Sequence, residues 1–195
     1  PKVYSFGVHV CDTSRFHCEK YGGRSGGAGL SVEEALAATI GEVVERYCAA
    51  FYDRKNMVFA SYREISDVAI HPDAFALFSD KQYDTPDFPF ARFTEVTRVF
   101  WTWGYSLTYQ RDVLVPACLV YIPYHRLPDE PLIAYSTSTG MAAGNTIEEA
   151  ILCGIYEVIE RDCFTIFWLR MMRMPLVDVD RPIQQVLNER FPDSG

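Results

Sequence analysis

The feature that most restricts what this chain can fold into is an internal repeat. SVEEALAATIGEVVERYCA over 31–49 superimposes on TIEEAILCGIYEVIERDCF over 146–164 at an offset of 115 residues. The matches include Glu33 with Glu148, Glu34 with Glu149, Glu42 with Glu157, Glu45 with Glu160, Arg46 with Arg161 and Cys48 with Cys163. Chance rarely repeats that many positions, charges included, so the chain carries two copies of one structural unit. In each copy a Ser or Thr stands three residues before a Glu, the pattern with which a capping box opens a helix. Apolar Leu36, Ile40, Val43 and Val44 recur at helical spacing in the first copy. The repeat thus predicts one helix over 31–50 and a second from 146 to about 173, stopped by Pro175.

At a turn of about 100° per residue, Glu34, Glu42 and Glu45 fall within roughly 80° of one another, opposite the apolar positions. An apolar back and an acidic front are expected. A solvated face is one account of the front, with Glu34 and Glu149 closing capping boxes and Glu45 and Glu160 pairing with arginines. The duplication favours another. Two related helices packed side by side bring their glutamates together, and clustered carboxylates repel unless they are protonated or neutralised by cations. An all-oxygen set suits Mg²⁺ or Ca²⁺, with phosphate oxygens completing the shell. Arg46 and Arg161 are then within reach of the phosphates. A carboxylate-bridged di-iron site asks for Glu-x-x-His, yet His9, His17, His71 and His125 all lie outside both helices. Neither a GxxxxGK[ST] loop nor a GxGxxG fingerprint is present. The constellation points to a metal–polyphosphate ligand held in an unusual way.

The rest of the chain supplies the frame. Residues 2–11 read as a strand, and the glycine-crowded 22–29 as a flexible loop. From 57 to about 125, aromatic and β-branched runs between polar turns predict mainly β-structure, with a small helix around 72–79. Residues 132–145 read as a further strand running into a Ser/Thr/Gly loop. The order strand, helix, strands, helix makes the fold class α+β and argues against a doubly wound parallel sheet. The tryptophans and tyrosines of 100–109 are expected in the sheet core.

A chain of 195 residues suffices for one domain that buries roughly 70% of its unfolded surface. Its net charge of −8 excludes a broad grip on nucleic acid or anionic lipid. No apolar run reaches the ~18 residues of a membrane span, and no basic-then-apolar leader opens the chain. The six cysteines contain no CxxC pair, and most have apolar neighbours, as expected of reduced thiols in a cytoplasmic protein. His9, Cys11, His17 and Cys18 do not have the spacing of a common zinc site.

GAGLSVEEALAATIGEVVERY, followed about a hundred residues later by STGMAAGNTIEEAILCGIYEVIERD, resembles the YcaO family, including its docking-scaffold-like subgroup. The resemblance implies an ATP- and Mg²⁺-dependent cyclodehydratase that phosphorylates backbone amide oxygens of a ribosomally made precursor peptide, forming thiazolines or oxazolines. Thioamide formation and a non-catalytic peptide- or protein-binding scaffold are the alternatives. Carried over by motif, Glu42, Glu45, Glu149, Glu157 and Glu160 become metal ligands or their supports, and Ser25, Arg46, Asn145 and Arg161 contact the nucleotide. The family also implies an E1-like or TfuA-like partner protein and leaves room for a homodimer. The family's first motif usually has Ser where Ala38 stands and often Lys where Ala28 stands. Its third ATP-binding region, with Gln, Arg and Glu, falls in a C-terminal half. The resemblance thus treats 1–195 as the N-terminal part of a single, longer YcaO-like domain.

Overall fold

The structure is a computed structural model that describes residues 2–12 and 23–175, together with 185, 188 and 189. The element order is β1 (Tyr4–His9), β2 (Arg24–Gly29), α1 (Val32–Ala50), β3 (Val58–Ala60), α2 (Tyr62–Ile65), α3 (Asp80–Tyr83), β4 (Val99–Ser106), β5 (Arg111–Pro116) and α4 (Ile147–Leu169). This is an α+β protein, as the order of sequence patterns predicts. The described residues divide into two compact units. One gathers β1, 23–46 and 139–175, and the other 47–138.

In the first unit β1 and β2 form an antiparallel ribbon with Tyr4 opposite Gly29 and His9 opposite Arg24. The stretch read as a flexible glycine loop is therefore a strand. Its glycines answer a steric demand. A Cβ on Gly26 would stand 2.5 Å from the Phe6 carbonyl oxygen, one on Gly27 2.4 Å from the Thr39 nitrogen, and one on Gly29 2.6 Å from the Ala35 nitrogen. The main chain of β2 lies directly on α1, so only residues without side chains fit between them.

That contact also decides which side of α1 is buried. Ala35 is fully buried and Thr39 nearly so, its hydroxyl donating to the Ala35 carbonyl at 2.6 Å. Leu36, Ile40 and Val44 remain exposed. The expected apolar back is not what packs: a backbone-to-helix contact selects small residues, and the larger apolar side chains are displaced to an open flank.

The second helix repeats the arrangement. A Cβ on Gly144 would meet the Ala150 nitrogen at 2.5 Å, as Gly29 does with Ala35 one repeat earlier. Gly154, buried inside α4, faces the Gly140 carbonyl oxygen at 2.6 Å from its would-be Cβ. Residues 132–145 do not form the expected strand. Ile133 and Ala134 are buried, but the main chain there makes a single sheet-like bond, Ala91 N–H to the Leu132 carbonyl at 2.8 Å. α4 ends at Leu169, before Pro175, because Met171 turns the chain into the left-handed region.

In the second unit β3, β4 and β5 make an antiparallel sheet in that order. Its core gathers Val99, Trp101, Leu114 and Ile133 with Ala60, Ala69 and Cys118. The Trp101 indole N–H donates to the Ala60 carbonyl at 2.9 Å, so its polar atom is satisfied inside the core. Pro116 lacks an N–H and ends β5, and a 3₁₀ turn at Ala117–Leu119 replaces the longer strand that the sequence suggests. The small helix expected around 72–79 reduces to a 3₁₀ turn at Pro72–Ala74, with α3 beginning only at Asp80. Of the aromatics in 100–109, Trp101 is core, whereas Trp103, Tyr105 and Tyr109 are exposed by 53 to 66%. β4 runs past the edge of the core, and Trp103 and Tyr105 on its outer half pair with β5 but stay exposed among the described residues.

The cysteines also depart from expectation. Among the described residues Cys118 is buried, while Cys11, Cys48, Cys153 and Cys163 are exposed. His17 and Cys18 lie outside the described residues. No helix among the described residues is long and apolar enough to cross a membrane.

Helix propensity alone favours Ala over Gly by about 1 kcal/mol in a helix interior. At Gly154 the clash with a main-chain oxygen reverses that sign. Gly154→Ala is expected to destabilise the protein by about 1–3 kcal/mol in urea unfolding, and a stabilised variant would show that the Gly140 segment does not bear on α4.

Candidate functional site

Both helices of the repeat open the same way. The Ser31 hydroxyl accepts the Glu34 N–H at 3.1 Å, while Glu34 Oε2 accepts from the Leu30 and Ser31 N–H groups at 2.8 and 3.3 Å. In α4 the Thr146 hydroxyl accepts the Glu149 N–H at 3.2 Å, and Glu149 Oε2 accepts the Asn145 N–H at 2.7 Å and its side-chain amide at 3.1 Å. The first is a capping box; in α4 the Thr146 hydroxyl caps equivalently, while Glu149 reaches one residue further back, to Asn145. Glu149 is thereby fixed at the helix entrance with one oxygen committed, and Asn145 is held against it.

Two turns further along, the Glu-x-x-Glu-Arg segments share a second feature. Arg46 donates to Glu42 Oε1 from Nε at 3.0 Å and from Nη2 at 2.9 Å, and lies 3.7 Å from Glu45. Arg161 stands 3.5 Å from Glu157, the same i to i+4 pairing. Arg46 therefore holds Glu42 in a set orientation, and Arg161 stands within ion-pair distance of Glu157.

The electrostatics single out Glu45. Its side chain is only 13% exposed. Burial first, then repulsion from Glu42, raises its carboxyl from the ordinary carboxylate value to about 7; Arg46 opposes the shift and Glu157 adds to it. Glu157, on α4, thus acts electrostatically on a carboxyl of α1, so the structure brings Glu42, Glu45 and Glu157 into one electrostatic neighbourhood. Glu160 is exposed one turn beyond Glu157. Glu149 lies eight residues before Glu157 and hence about 12 Å away along the helix axis, at 1.5 Å per residue.

The five glutamates are therefore not gathered at one point. Among the described residues no three His, Cys, Asp or Glu side chains stand close enough to hold a metal ion alone. A hard divalent cation beside Glu42, Glu45 and Glu157 fits the donor chemistry, since its charge would offset both the burial and the repulsion that raise Glu45. It would take the remainder of its shell from water or phosphate oxygens.

A groove of about 480 Å³ is lined by Ile40, Gly41 and Val44 of α1 and by Asn145, Glu149 and Cys153. The apolar residues that fail to pack in the core thus form one wall, and the α4 entrance forms the other. Ser25 sits on β2, its hydroxyl oxygen buried and without a hydrogen-bond partner among the described residues. The sequence reading missed Ile40, Gly41 and Val44 as site residues, because their spacing is that of an ordinary packed face.

A sequence profile for a family described as "YcaO cyclodehydratase, ATP- and Mg²⁺-binding" matches residues 26–195. An uncharacterized protein of Methanothermobacter thermautotrophicus is 32% identical over 158 residues, which is 79% of this chain and 36% of that protein. Among solved structures, a heterocyclase in complex with substrate and cofactor is similar at 34% identity and a TM-score of 0.70, over 87% of this chain and 24% of that one. The heterocyclase TruD matches at 35% identity and a TM-score of 0.64, over 80% of this chain and 24% of that one. YcaO from Methanopyrus kandleri, bound with AMPPCP and Mg²⁺, shares the fold at 21% identity and a TM-score of 0.61, over 94% of this chain and 44% of that one. The chain thus spans a quarter to under half the length of the relatives it matches.

Because Glu45 is raised above its unfolded-state value, folding favours its protonated form. The stability this contributes is complete below about pH 4.5 and is lost as pH rises through about 7. Glu45→Gln should therefore leave stability unchanged at pH 4.5 and raise it at pH 8 by about 1 kcal/mol after allowance for solvent screening. Thermal unfolding of both proteins across this range checks the difference, and parallel pH profiles would refute it.

Proposed function

The chain belongs to the YcaO family, and on that premise we propose that it takes part in ATP- and Mg²⁺-dependent activation of peptide backbone amides. The reading includes the placement of 1–195 as the N-terminal part of one YcaO-like domain. The product we assign is an azoline in a ribosomally made precursor peptide. A Cys, Ser or Thr side chain adds to the preceding carbonyl, the amide oxygen departs as phosphate, and each ring formed loses one water from the peptide. Bound Mg-ATP supplies the phosphoryl group that makes this oxygen a leaving group.

The observation that carries the reading is the charge imbalance around Glu45: three carboxylates on two helices, half-buried, with Arg46 and Arg161 already paired to Glu42 and Glu157. A site so poor in free positive charge among the described residues binds a polyphosphate only together with a cation. Glu42, Glu45, Glu157 and Glu160 would hold the metal side. Asn145 and Glu149, at the α4 entrance, would hold the other end of the ligand. The distance of about 12 Å along α4 between Glu149 and Glu157 suits an extended ligand better than a lone ion. Ile40 and Val44 offer an apolar wall to a nucleobase, and Ser25 has a buried hydroxyl to offer. The chain's own work is positioning and charge compensation.

The heterocyclases among its similar structures favour azolines over thioamides. Ala38 and Ala28, which stand where the family usually or often has Ser and Lys, keep a non-catalytic scaffold as the second reading. An E1-like or TfuA-like partner that delivers the peptide, a cytoplasmic location and homodimerisation complete the proposal.

Calorimetry on the full-length protein is expected to show Mg-ATP binding that weakens at least ten-fold in Glu157→Gln or Glu160→Gln and is unchanged in Glu33→Gln. Unaltered affinity in the first two variants would overturn the assignment of the site. ATP-dependent loss of water from a precursor peptide, read by mass spectrometry, separates the catalytic reading from the scaffold.

A further inference from the structure

The unit formed by 47–138 contains a cavity of about 340 Å³ that none of the repeated-helix chemistry uses. Its volume falls within the about 300–1,000 Å³ typical of small-molecule sites. Glu130 lines it and is only 2% exposed, a burial that carboxylates seldom reach without strong partners. The Glu130 carboxylate accepts the Phe100 N–H at 3.0 Å and the Tyr124 hydroxyl at 2.9 and 2.8 Å. Because a tyrosine has one proton to give, two protons serve a group with about four acceptor positions. Burial first, and the Glu130 carboxylate second, hold the Tyr124 hydroxyl protonated well above the ordinary phenol range, so it remains a donor.

Among the described residues no side-chain cation is bonded to this carboxylate. Arg126, also in the cavity lining, turns Nη1 to main-chain carbonyls instead, to Glu130 at 2.7 Å and Leu127 at 3.4 Å. Its Nε and Nη2 donors have no partner among the described residues. Arg126 is exposed whereas Glu130 is buried, so the cavity has an acid at its depth and a base at its rim. Leu132, Ile133 and Tyr135 supply apolar wall between them. A carboxylate that merely capped Phe100 would account for one of these bonds, but not for the hollow beside it or for a rim guanidinium with spare donors.

We propose that this cavity binds a single α-amino acid in its zwitterionic form, with the ammonium group on Glu130, the carboxylate on Arg126 and the side chain against Leu132, Ile133 and Tyr135. The site is independent of the function proposed for the repeated helices. Three ammonium protons match the open acceptor positions of Glu130, and a carboxylate matches the planar donors of Arg126. The depth difference fixes the orientation of the ligand, ammonium inward.

The test is titration of the full-length protein with L-leucine and L-phenylalanine, followed by calorimetry and saturation-transfer NMR. At least one should bind saturably at one site. Its analogue without the amino group (4-methylpentanoate or 3-phenylpropanoate) should bind at least ten-fold more weakly, as should the amine without the carboxylate (isoamylamine or phenethylamine). Arg126→Gln, at an exposed position, should weaken binding ten-fold or more, and Glu130→Gln should abolish it while keeping an acceptor for Phe100. Absence of saturable binding, or equal binding by the deaminated analogue, would overturn the proposal, whether or not the Glu130 variant folds.

Discussion

The contact on which the first unit depends is the direct seating of extended main chain on a helix. At Gly27 and Gly29 of β2, and again at Gly144 before α4, there is no room for a Cβ against the nitrogen of the helix beneath. Close packing of this kind is intolerant of added volume. It brings each preceding segment down at the entrance of its helix, where the capping glutamate then turns back to bind the incoming N–H groups. Everything that follows along each helix inherits its position from that seat.

The carboxylates are where this inheritance has chemical consequences. Counted from its capping glutamate, each helix presents Glu-x-x-Glu-Arg two turns on. The arginines stand at ion-pair distance from the first glutamate of each motif. Glu45 is left part-buried among negative neighbours and carries the strain as a raised carboxyl value. Proteins seldom retain such an imbalance for stability's sake, since groups so placed would pack better as apolar residues. Perturbed carboxyls of this kind gather where charged ligands are handled, which is consistent with membership of a family described as ATP- and Mg²⁺-binding. The open flank of α1 is the other half of the same design. Ile40 and Val44, pushed away from the core by the glycine contact, become the wall of a groove.

Several misreadings share one physical origin. Glycine-rich 22–29 resembled a flexible loop because composition reports backbone freedom and not the close neighbour that removes it. Trp103, Tyr105 and Tyr109 resembled core because alternation indicates a strand but not where a sheet runs out of partners. Residues 132–145 resembled a strand because their opening residues are apolar, and Ile133 and Ala134 are indeed buried; β5 is instead bridged through Ala69 and Leu114, with Leu114 N–H bonded to the Val68 carbonyl and Ile70 N–H to that of Leu114. Glu130 had no signal at all. An acid between Pro128 and Pro131 in a polar stretch reads as a surface turn, and only folding reveals that it is buried beside Tyr124.

The sequence by itself determined the repeat, the capping box of α1 and the Thr146 cap of α4, the extents of α1 and most of α4, and the α+β class; it also put an arginine beside each motif, though Arg46 lies closer to Glu42 than to Glu45 and Arg161 pairs with Glu157, where Glu45 and Glu160 are the expected partners. All of these follow from interactions within a few residues, whose geometry the helix dictates. Tertiary structure alone decided which face of α1 is buried, that Glu157 and Glu45 feel each other's charge, and that Glu130 and Arg126 share a cavity. Those depend on which surfaces meet, and a side chain's partners across space are set by packing that no local spacing encodes.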